Sequence, residues 1–347
     1  MNEEKILTAL DEGELEKLLS PAPSFRARQL FKWIYRDVLS FDEMTNLPVS
    51  FRDELKKRFI LCDSAVKKRL VDEDGTVKLL VAFSGGAGAE AVLLKDGKGR
   101  CTACLSVQAG CPVGCVFCKT GSLGFSRSLQ AHEITEQFLH LSRESSAPIG
   151  NIVVMGMGEP FFNLDALRKA LFLVGKGKGL SPRRFTVSTS GIPRGILDLS
   201  ENGPKAELAF SLVSAREDLR GRLMPGVREF SLAEIKNALG IYQKKNGRRI
   251  TLEAVLLGGI NTGPEDARAI LDFARGLFVV VNVIPWNPVN GLCFEGKPLR
   301  EPDACETETF IRTLEQGGQN VTRRFRKGRG VCGACGQLGQ RLQQGGN

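Results

Sequence analysis

The sequence predicts an α/β protein. A partial (β/α) barrel spans 101–330, preceded by an N-terminal helical domain over 1–63 and a small β linker segment over 64–100, and followed by a loop and tail over 331–347. Three observations carry this expectation. From residue 101 onward, short apolar runs alternate with amphipathic helical runs, the pattern of a parallel sheet covered by helices. Before residue 60 the apolar residues recur at helical spacing. Between these stretches the apolar residues fall into short runs separated by Gly-rich turns.

In the first segment, Leu15, Leu18 and Leu19 mark one apolar face and Phe31, Ile34 and Tyr35 another, with Pro21 and Pro23 between them. Ser40-Phe41-Asp42-Glu43 and Pro48-Val49-Ser50 read as helix entries. In the linker, Val66, Leu70, Val71, Val77, Leu79, Val81 and Ala91-Val92-Leu93-Leu94 suggest strands turned at Asp74-Gly75 and Gly85-Gly86-Ala87-Gly88. In the barrel, strands are expected at 152–155, 185–188, 208–212, 251–256 and 279–284, and helices at 130–145, 164–175, 232–246, 264–276 and 303–317. Ligands of such a sheet bind at the C-terminal ends of the strands.

The composition, 42% hydrophobic, is that of a globular chain. No run of about twenty apolar residues occurs, so no membrane span is expected. The start Met1-Asn2-Glu3-Glu4-Lys5 lacks an apolar signal core, so no secretion signal is read and a cytoplasmic location is expected. A net charge of +9 favours a polyanionic partner. The basic groups are Arg323-Arg324-Phe325-Arg326-Lys327-Gly328-Arg329, the set Lys176, Lys178, Arg183 and Arg184, and Lys67-Lys68-Arg69. Each suits phosphate contacts, although a run of this kind is more often a solvated face.

Of ten cysteines, seven crowd into 101–118 and 332–335, which suggests metal or redox work more than a disulfide framework. Cys111-Pro112-Val113-Gly114-Cys115-Val116-Phe117-Cys118 sets three thiols close enough to wrap one edge of a 4Fe–4S cluster and leave one iron open. A zinc site completed by His132, His140 or another cysteine is the alternative. Gly156-Met157-Gly158-Glu159-Pro160, just after an apolar strand, reads by itself as a tight turn.

Taken together, the cysteine spacing, the aromatic Phe117 before the last cysteine and the Gly-x-Gly-Glu-Pro turn resemble the radical S-adenosylmethionine superfamily. The resemblance narrows over residues 12–340. Phe25 to Ile34, Cys104-Leu105-Ser106-Val107-Gln108-Ala109-Gly110-Cys111, Asn163-Leu164-Asp165, Thr186 to Gly191, Arg222-Leu223-Met224-Pro225, Ile284-Pro285-Trp286-Asn287-Pro288 and Ala334-Cys335-Gly336-Gln337-Leu338 are all similar to the RlmN/Cfr RNA methyltransferases. That resemblance implies a 4Fe–4S cluster on Cys111, Cys115 and Cys118. It also implies S-adenosylmethionine against Gly158, Glu159, Ser188, Ser211, Leu212, Val213 and Asn287. The implied reaction is methylation of an adenosine ring carbon, C2 ahead of C8, in 23S rRNA and in tRNA. The implied route methylates Cys335 first. A second S-adenosylmethionine is then cleaved reductively, and the radical formed takes a hydrogen from the methyl thioether. The carbon radical adds to the ring, Glu90 removes the ring proton, and Cys104 attacks Cys335 to release the product and leave a disulfide. An electron donor such as flavodoxin or ferredoxin is expected as a partner, and the protein is expected to act as a monomer.

Read without the resemblance, Ser188 and Ser211 are strand-end hydrogen-bonding groups and Glu90 a strand-end carboxylate. Three departures stand out. Val213 stands where the family carries His. The stretch between Arg329-Gly330 and Ala334-Cys335 is shortened to Val331-Cys332-Gly333. Cys101 and Cys332 turn the two thiol positions into Cys-x-x-Cys pairs that could bind zinc. Val213 and the shortened loop keep a non-catalytic iron–sulfur RNA-binding protein open as a rival. A second rival, a radical enzyme acting on a small molecule, has the basic surplus and the N-terminal helical domain against it.

Overall fold

The computed structural model describes residues 6–324 and 326–339. The acidic start at 1–5, Phe325 of the basic run and the polar tail from 340 lie outside the described residues.

The chain opens with helices α1 Glu12–Leu19, α2 Ser24–Ile34 and α3 Val49–Arg58. Asp11 begins α1 by accepting from Glu14 N–H at 2.9 Å, while Glu14 accepts from Asp11 N–H at 2.8 Å. Leu15, Leu30, Ile34 and Leu55 form a buried centre to which Leu18 contributes only in part. Ser40-Phe41-Asp42-Glu43 closes a single 3-10 turn and starts no helix. The helical unit is seated on the barrel. The Tyr35 ring packs on Gly177, where a Cβ would stand 2.1 Å from the ring. Thr8 Oγ1 donates to the buried Glu136 carboxylate at 2.5 Å, and Lys178 pairs with Asp37 at 2.6 Å.

Strands β1 Ser64–Val71, β2 Val77–Phe83 and β3 Gly88–Lys95 form an antiparallel meander. The segment read as a linker is continuous with the barrel sheet, because β3 pairs antiparallel with β4 Cys101–Cys104. A hairpin of β5 Gln108–Gly110 and β6 Phe125–Ser128 projects beyond β4 and brackets the short helix α4 Lys119–Ser122. Then follow α5 Ala131–Glu144, β7 Ile149–Val154, α6 Leu164–Lys178, β8 Phe185–Thr189, α7 Pro193–Asn202, β9 Glu207–Ser211, α8 Glu217–Leu223, α9 Leu232–Asn246, β10 Ile250–Leu256, α10 Pro264–Ala274 and β11 Val279–Pro285. A two-stranded excursion, β12 Cys293–Phe294 with β13 Lys297–Pro298, precedes α11 Ala304–Gln316 and β14 Val321–Arg323.

Among the described residues ten strands make one sheet in the order β1-β2-β3-β4-β7-β8-β9-β10-β11-β14. From β4 to β14 every neighbouring pair is parallel. β1 and β14 are its edges, so the barrel is partial, and β11 carries Val279, Val280, Val281, Val283 and Ile284 all buried, as strands covered on both faces require. The expected strands and helices are present within a few residues; α4, α7, α8, β4, β5, β6, β12, β13 and β14 had no sequence-based expectation.

The turn that leaves β10 is tied to α11 by one carboxylate. Glu306 Oε1 accepts from Gly259 N–H at 2.8 Å and Thr262 Oγ1 at 3.0 Å. Arg300 donates to both of its oxygens at 2.7 Å. The Arg300 guanidinium, with those other donors, holds the Glu306 carboxyl down at about 2 against an ordinary 4.5. A depressed carboxyl stabilises the fold above its unfolded value, and that contribution is lost as pH falls from about 4.5 towards 2. Glu306→Gln is therefore expected to cost about 2 kcal/mol at pH 7 in denaturant unfolding, with the gap to the wild type closing as the pH is lowered towards 2.

Candidate active site

The C-terminal ends of the parallel strands open into one cavity. It is lined by Cys111, Cys115 and Cys118, by Gly158 and Glu159 beyond β7, by Ser188, Ser211 and Glu253 on β8, β9 and β10, and by Asn287, Arg324 and Cys335. The cysteine loop is held by the protein's own hydrogen bonds. Cys118 N–H donates to Cys115 O at 3.1 Å, Val116 N–H to Leu223 O at 3.1 Å, Gly226 N–H to Val113 O at 2.8 Å and Trp286 Nε1 to Phe117 O at 2.8 Å. Gly121 lies so close beneath that a Cβ there would meet Cys115 O at 2.7 Å.

Burial pushes the Cys111 thiol up to about 12 and Cys115 and Cys118 upward as well, and the neighbouring thiols add repulsion at Cys111 and Cys115. Three soft donors that resist ionising together call for a cationic centre. Among the described residues no group of three His, Cys, Asp or Glu side chains closes around a single ion. His132 and His140 sit on α5 beside Asp63 and Ser64, away from this cavity. A one-metal zinc site therefore lacks its ligand set, and three thiols along one cavity wall fit an iron–sulfur cluster, whose irons take one cysteine each.

The turn after β7 needs Gly158, at φ +100°, because a Cβ would lie 2.5 Å from Gln108 Cβ. Glu159 is buried and fully engaged. Oε1 accepts from Phe161 N–H at 3.0 Å and Thr189 Oγ1 at 2.7 Å, and Oε2 from Ser190 N–H at 2.7 Å and Ser190 Oγ at 2.6 Å. It staples this turn to the end of β8. Ser188 Oγ and Ser211 Oγ stand 3.3 Å apart on the cavity wall. Val213 also lines it, at φ +60°, a strained conformation for a β-branched residue. Its N–H donates to Glu253 O at 3.1 Å and its carbonyl accepts from Asn261 Nδ2 at 2.8 Å. Leu212 is buried outside the lining. Asn287 donates from Nδ2 to Cys335 O at 2.9 Å, while its buried Oδ1 has no partner among the described residues. An orphaned acceptor in the cavity wall is a place for a ligand donor.

A second cavity adjoins the first and shares Cys335. Cys104, Arg324, Arg326, Lys327, Asn287 and Leu338 line it. Burial, with the nearby Cys335 adding to it, pushes Cys104 up to about 12 while Arg324 pulls it down. Arg324 was read as part of a phosphate-facing run; it turns inward and lines both cavities. Cys101 and Cys332 line neither cavity, and Cys332 is exposed. Glu90 also lies outside both linings. Its Oε1 pairs with Lys78 at 2.9 Å and its Oε2 accepts from Gly339 N–H at 2.6 Å, while Lys78 reaches Cys332 O at 3.2 Å. The pair thus holds the C-terminal loop on both sides of Cys335. Sequence reasoning missed Lys78 and Glu253; for Glu253 the signal was a lone carboxylate inside the apolar run Thr251-Leu252-Glu253-Ala254-Val255.

Comparison with known proteins agrees with this geometry. The profile of the Radical SAM superfamily matches residues 105–274, and that of the ribosomal RNA large subunit methyltransferase N-terminal domain matches 7–61. The chain is 44% identical to a probable dual-specificity RNA methyltransferase RlmN of Treponema pallidum, across 96% of this chain and 97% of that one. With a protein of the same description from Treponema denticola it shares 46% identity, over 96% and 95%. A crystal structure of a radical SAM methyltransferase from Sphaerobacter thermophilus superposes with a TM-score of 0.90 at 36% identity, covering 96% of this chain and 98% of that one.

The burial pattern sets an order of thiol reactivity. In cluster-free, reduced protein, mass mapping of iodoacetamide adducts at pH 7.5 is expected to find the exposed Cys293, Cys305 and Cys332 labelled well before Cys104. With a thiol near 12, labelling of Cys104 should rise about tenfold per pH unit. Cys104 labelling as fast as Cys332 at pH 7.5 would contradict the burial.

Proposed function

The chain belongs to the RlmN family of radical S-adenosylmethionine RNA methyltransferases, and from that premise we propose that it methylates C2 of an adenosine in 23S rRNA and in tRNA, with Cys335 as methyl carrier. The observation that carries this reading is the position of Cys335 on both cavities, one wall shared with the three cluster cysteines and the other with Cys104. The description of the relatives as dual-specificity RNA methyltransferases supports two RNA classes. C2 is preferred over C8 as the position of the more widespread branch of the family.

When bound, the cluster and S-adenosylmethionine supply the methyl group and a one-electron route to a carbon radical. Cys111, Cys115 and Cys118 hold the cluster. The backbone at Gly158 and Glu159, the hydroxyls of Ser188 and Ser211, the 211–213 turn and Asn287 bind S-adenosylmethionine. The aromatic ring carbon is a poor nucleophile, so a thiolate must take the methyl group first. Cys335 accepts it at Sγ. Once the carbon is joined to the ring, Glu90 takes the ring proton. Lys78 and Gly339 occupy Glu90 here, so the C-terminal loop has to shift before it acts. Cys104 then attacks Cys335 Sγ. A sulfur–sulfur bond forms and the carbon–sulfur bond breaks. Its electron pair stays on the former methyl carbon, conjugated with the ring, which takes up a proton to become the methyl group, and the odd electron left by the radical addition would pass back to the cluster. Arg324, lining both cavities, favours the Cys104 thiolate.

The division into a helical domain at 1–63, a β segment at 64–100, a barrel at 101–330 and a catalytic loop from 331 belongs to the proposal. The first unit and the basic residues around the second cavity would hold RNA by its phosphates. A small acidic electron carrier such as flavodoxin or ferredoxin is the proposed reductant, and a monomer in the cytoplasm the proposed working form. No helix among the described residues is long and apolar enough to cross a membrane.

Cys104→Ala removes the route that releases product. The cluster-loaded variant is expected to trap RNA covalently, with the cross-linked peptide carrying Cys335. An adduct on Cys332 would move the carrier, and no adduct in a protein that still cleaves S-adenosylmethionine would remove the carrier mechanism. Mass spectrometry of nucleosides from treated RNA reads the ring position directly; 8-methyladenosine would refute the C2 assignment.

A further inference from the structure

Two carboxylates line the cofactor cavity, and they differ in what they have left to offer. Glu159 spends its oxygens on the four protein donors described above. Glu253, only 5% exposed, has one hydrogen bond, from Asn282 Nδ2 to Oε2 at 2.8 Å. Arg324 approaches that same oxygen at 3.9 Å, too far for a hydrogen bond. Among the described residues Oε1 of Glu253 has no partner. A carboxylate in the middle of a buried parallel strand is costly unless donors meet it.

We infer that Glu253 binds S-adenosylmethionine by accepting hydrogen bonds from its ribose hydroxyls. This rests on the cofactor assignment above and adds a residue to it. The donors that S-adenosylmethionine carries are its ammonium, its ribose diol and its adenine amino group. Under the cofactor assignment above, the ammonium would be held beside the cysteines and the turn after β7. Glu253 is on β10, three strands from β7 in the sheet order, roughly 14 Å along the sheet. The diol is favoured over the adenine amino group by what stands next to Glu253. It is the register partner of Ser211, whose hydroxyl is 3.3 Å from that of Ser188. Two hydroxyls that can donate and one carboxylate that can only accept complement a vicinal diol, each of whose oxygens both donates and accepts. An acidic side chain on a ribose hydroxyl is the same chemistry that dinucleotide-binding sites use. Burial pushes the Glu253 carboxyl upward, as expected of a group waiting for donors.

The test is equilibrium binding of S-adenosylmethionine and of its 2′-deoxy and 3′-deoxy analogues to full-length, cluster-reconstituted protein under anaerobic conditions. Glu253→Gln is expected to weaken S-adenosylmethionine binding about 10- to 100-fold, with iron content and melting temperature retained. At least one deoxy analogue should bind the wild type more weakly by a similar factor and lose nothing further in Glu253→Gln. Glu253→Asp, which keeps the charge at a shorter reach, should fall between. Unchanged affinity in Glu253→Gln, or equal discrimination against both deoxy analogues in wild type and variant, overturns the inference and leaves the cofactor assignment standing. A wild-type protein that does not bind S-adenosylmethionine overturns both. Should Glu253→Gln lose its fold, the wild type's discrimination between S-adenosylmethionine and its deoxy analogues still decides: none overturns the inference.

Discussion

The C-terminal loop is held against the cysteine loop by a short seam of hydrogen bonds, and the rest of the site depends on it. Lys119 N–H donates to Gly336 O at 2.7 Å and Thr120 Oγ1 to Leu338 O at 2.6 Å, joining residues 218 positions apart in the second case. Asn287 adds a bond to Cys335 O at 2.9 Å. These contacts lie at Cys335 and in the three residues after it, and they put its thiol on the partition between two cavities. The Lys78–Glu90 pair adds a tether at Cys332 and another at Gly339. With them, Cys335 lines the cavity of the three cluster cysteines and the cavity of Cys104.

The electrostatics follow from the same enclosure. Burial opposes charge on Cys104, on the three cysteines of the 111–118 loop and on both cavity carboxylates. The protein answers each differently. Glu159 is satisfied by four donors and becomes a structural staple. Glu253 is only half satisfied and is available to a ligand. The cysteines of the 111–118 loop have backbone N–H groups at Cys111 and Cys118 and the charge of Arg220 near Cys115, and burial outweighs these at each thiol. Arg324 is the positive charge placed between Glu253 on one side and the two working thiols on the other.

Much of this was legible in the sequence, because the signals were local. The barrel strands announced themselves as apolar runs and the cluster loop as three cysteines within eight residues. Gly158, Glu159, Ser188, Ser211, Val213, Asn287 and Cys335 line one cavity, and each lies at a strand end or in a turn where sequence patterning speaks. What stayed hidden was decided by pairing at long range. Nothing local tells that β3 adds to β4 and makes the linker part of the barrel sheet. Nothing local tells that Lys78 reaches across to Glu90 and to Cys332. Arg324 looked like one more cation in a basic run until β14 turned it inward. Leu212 was named with its neighbours, yet alternation along the chain points its side chain away from the cavity and leaves only its backbone to take part.

The central claim is that Cys335 carries the methyl group. Cluster-loaded protein incubated with S-adenosylmethionine labelled CD3 on its methyl group, without RNA, and then digested and mapped by mass spectrometry, tests it most directly. The account expects a single CD3 group on the peptide containing Cys335, absent in Cys335→Ala. A CD3 group on Cys332 or Cys104, or an unlabelled protein that still binds S-adenosylmethionine, would contradict it.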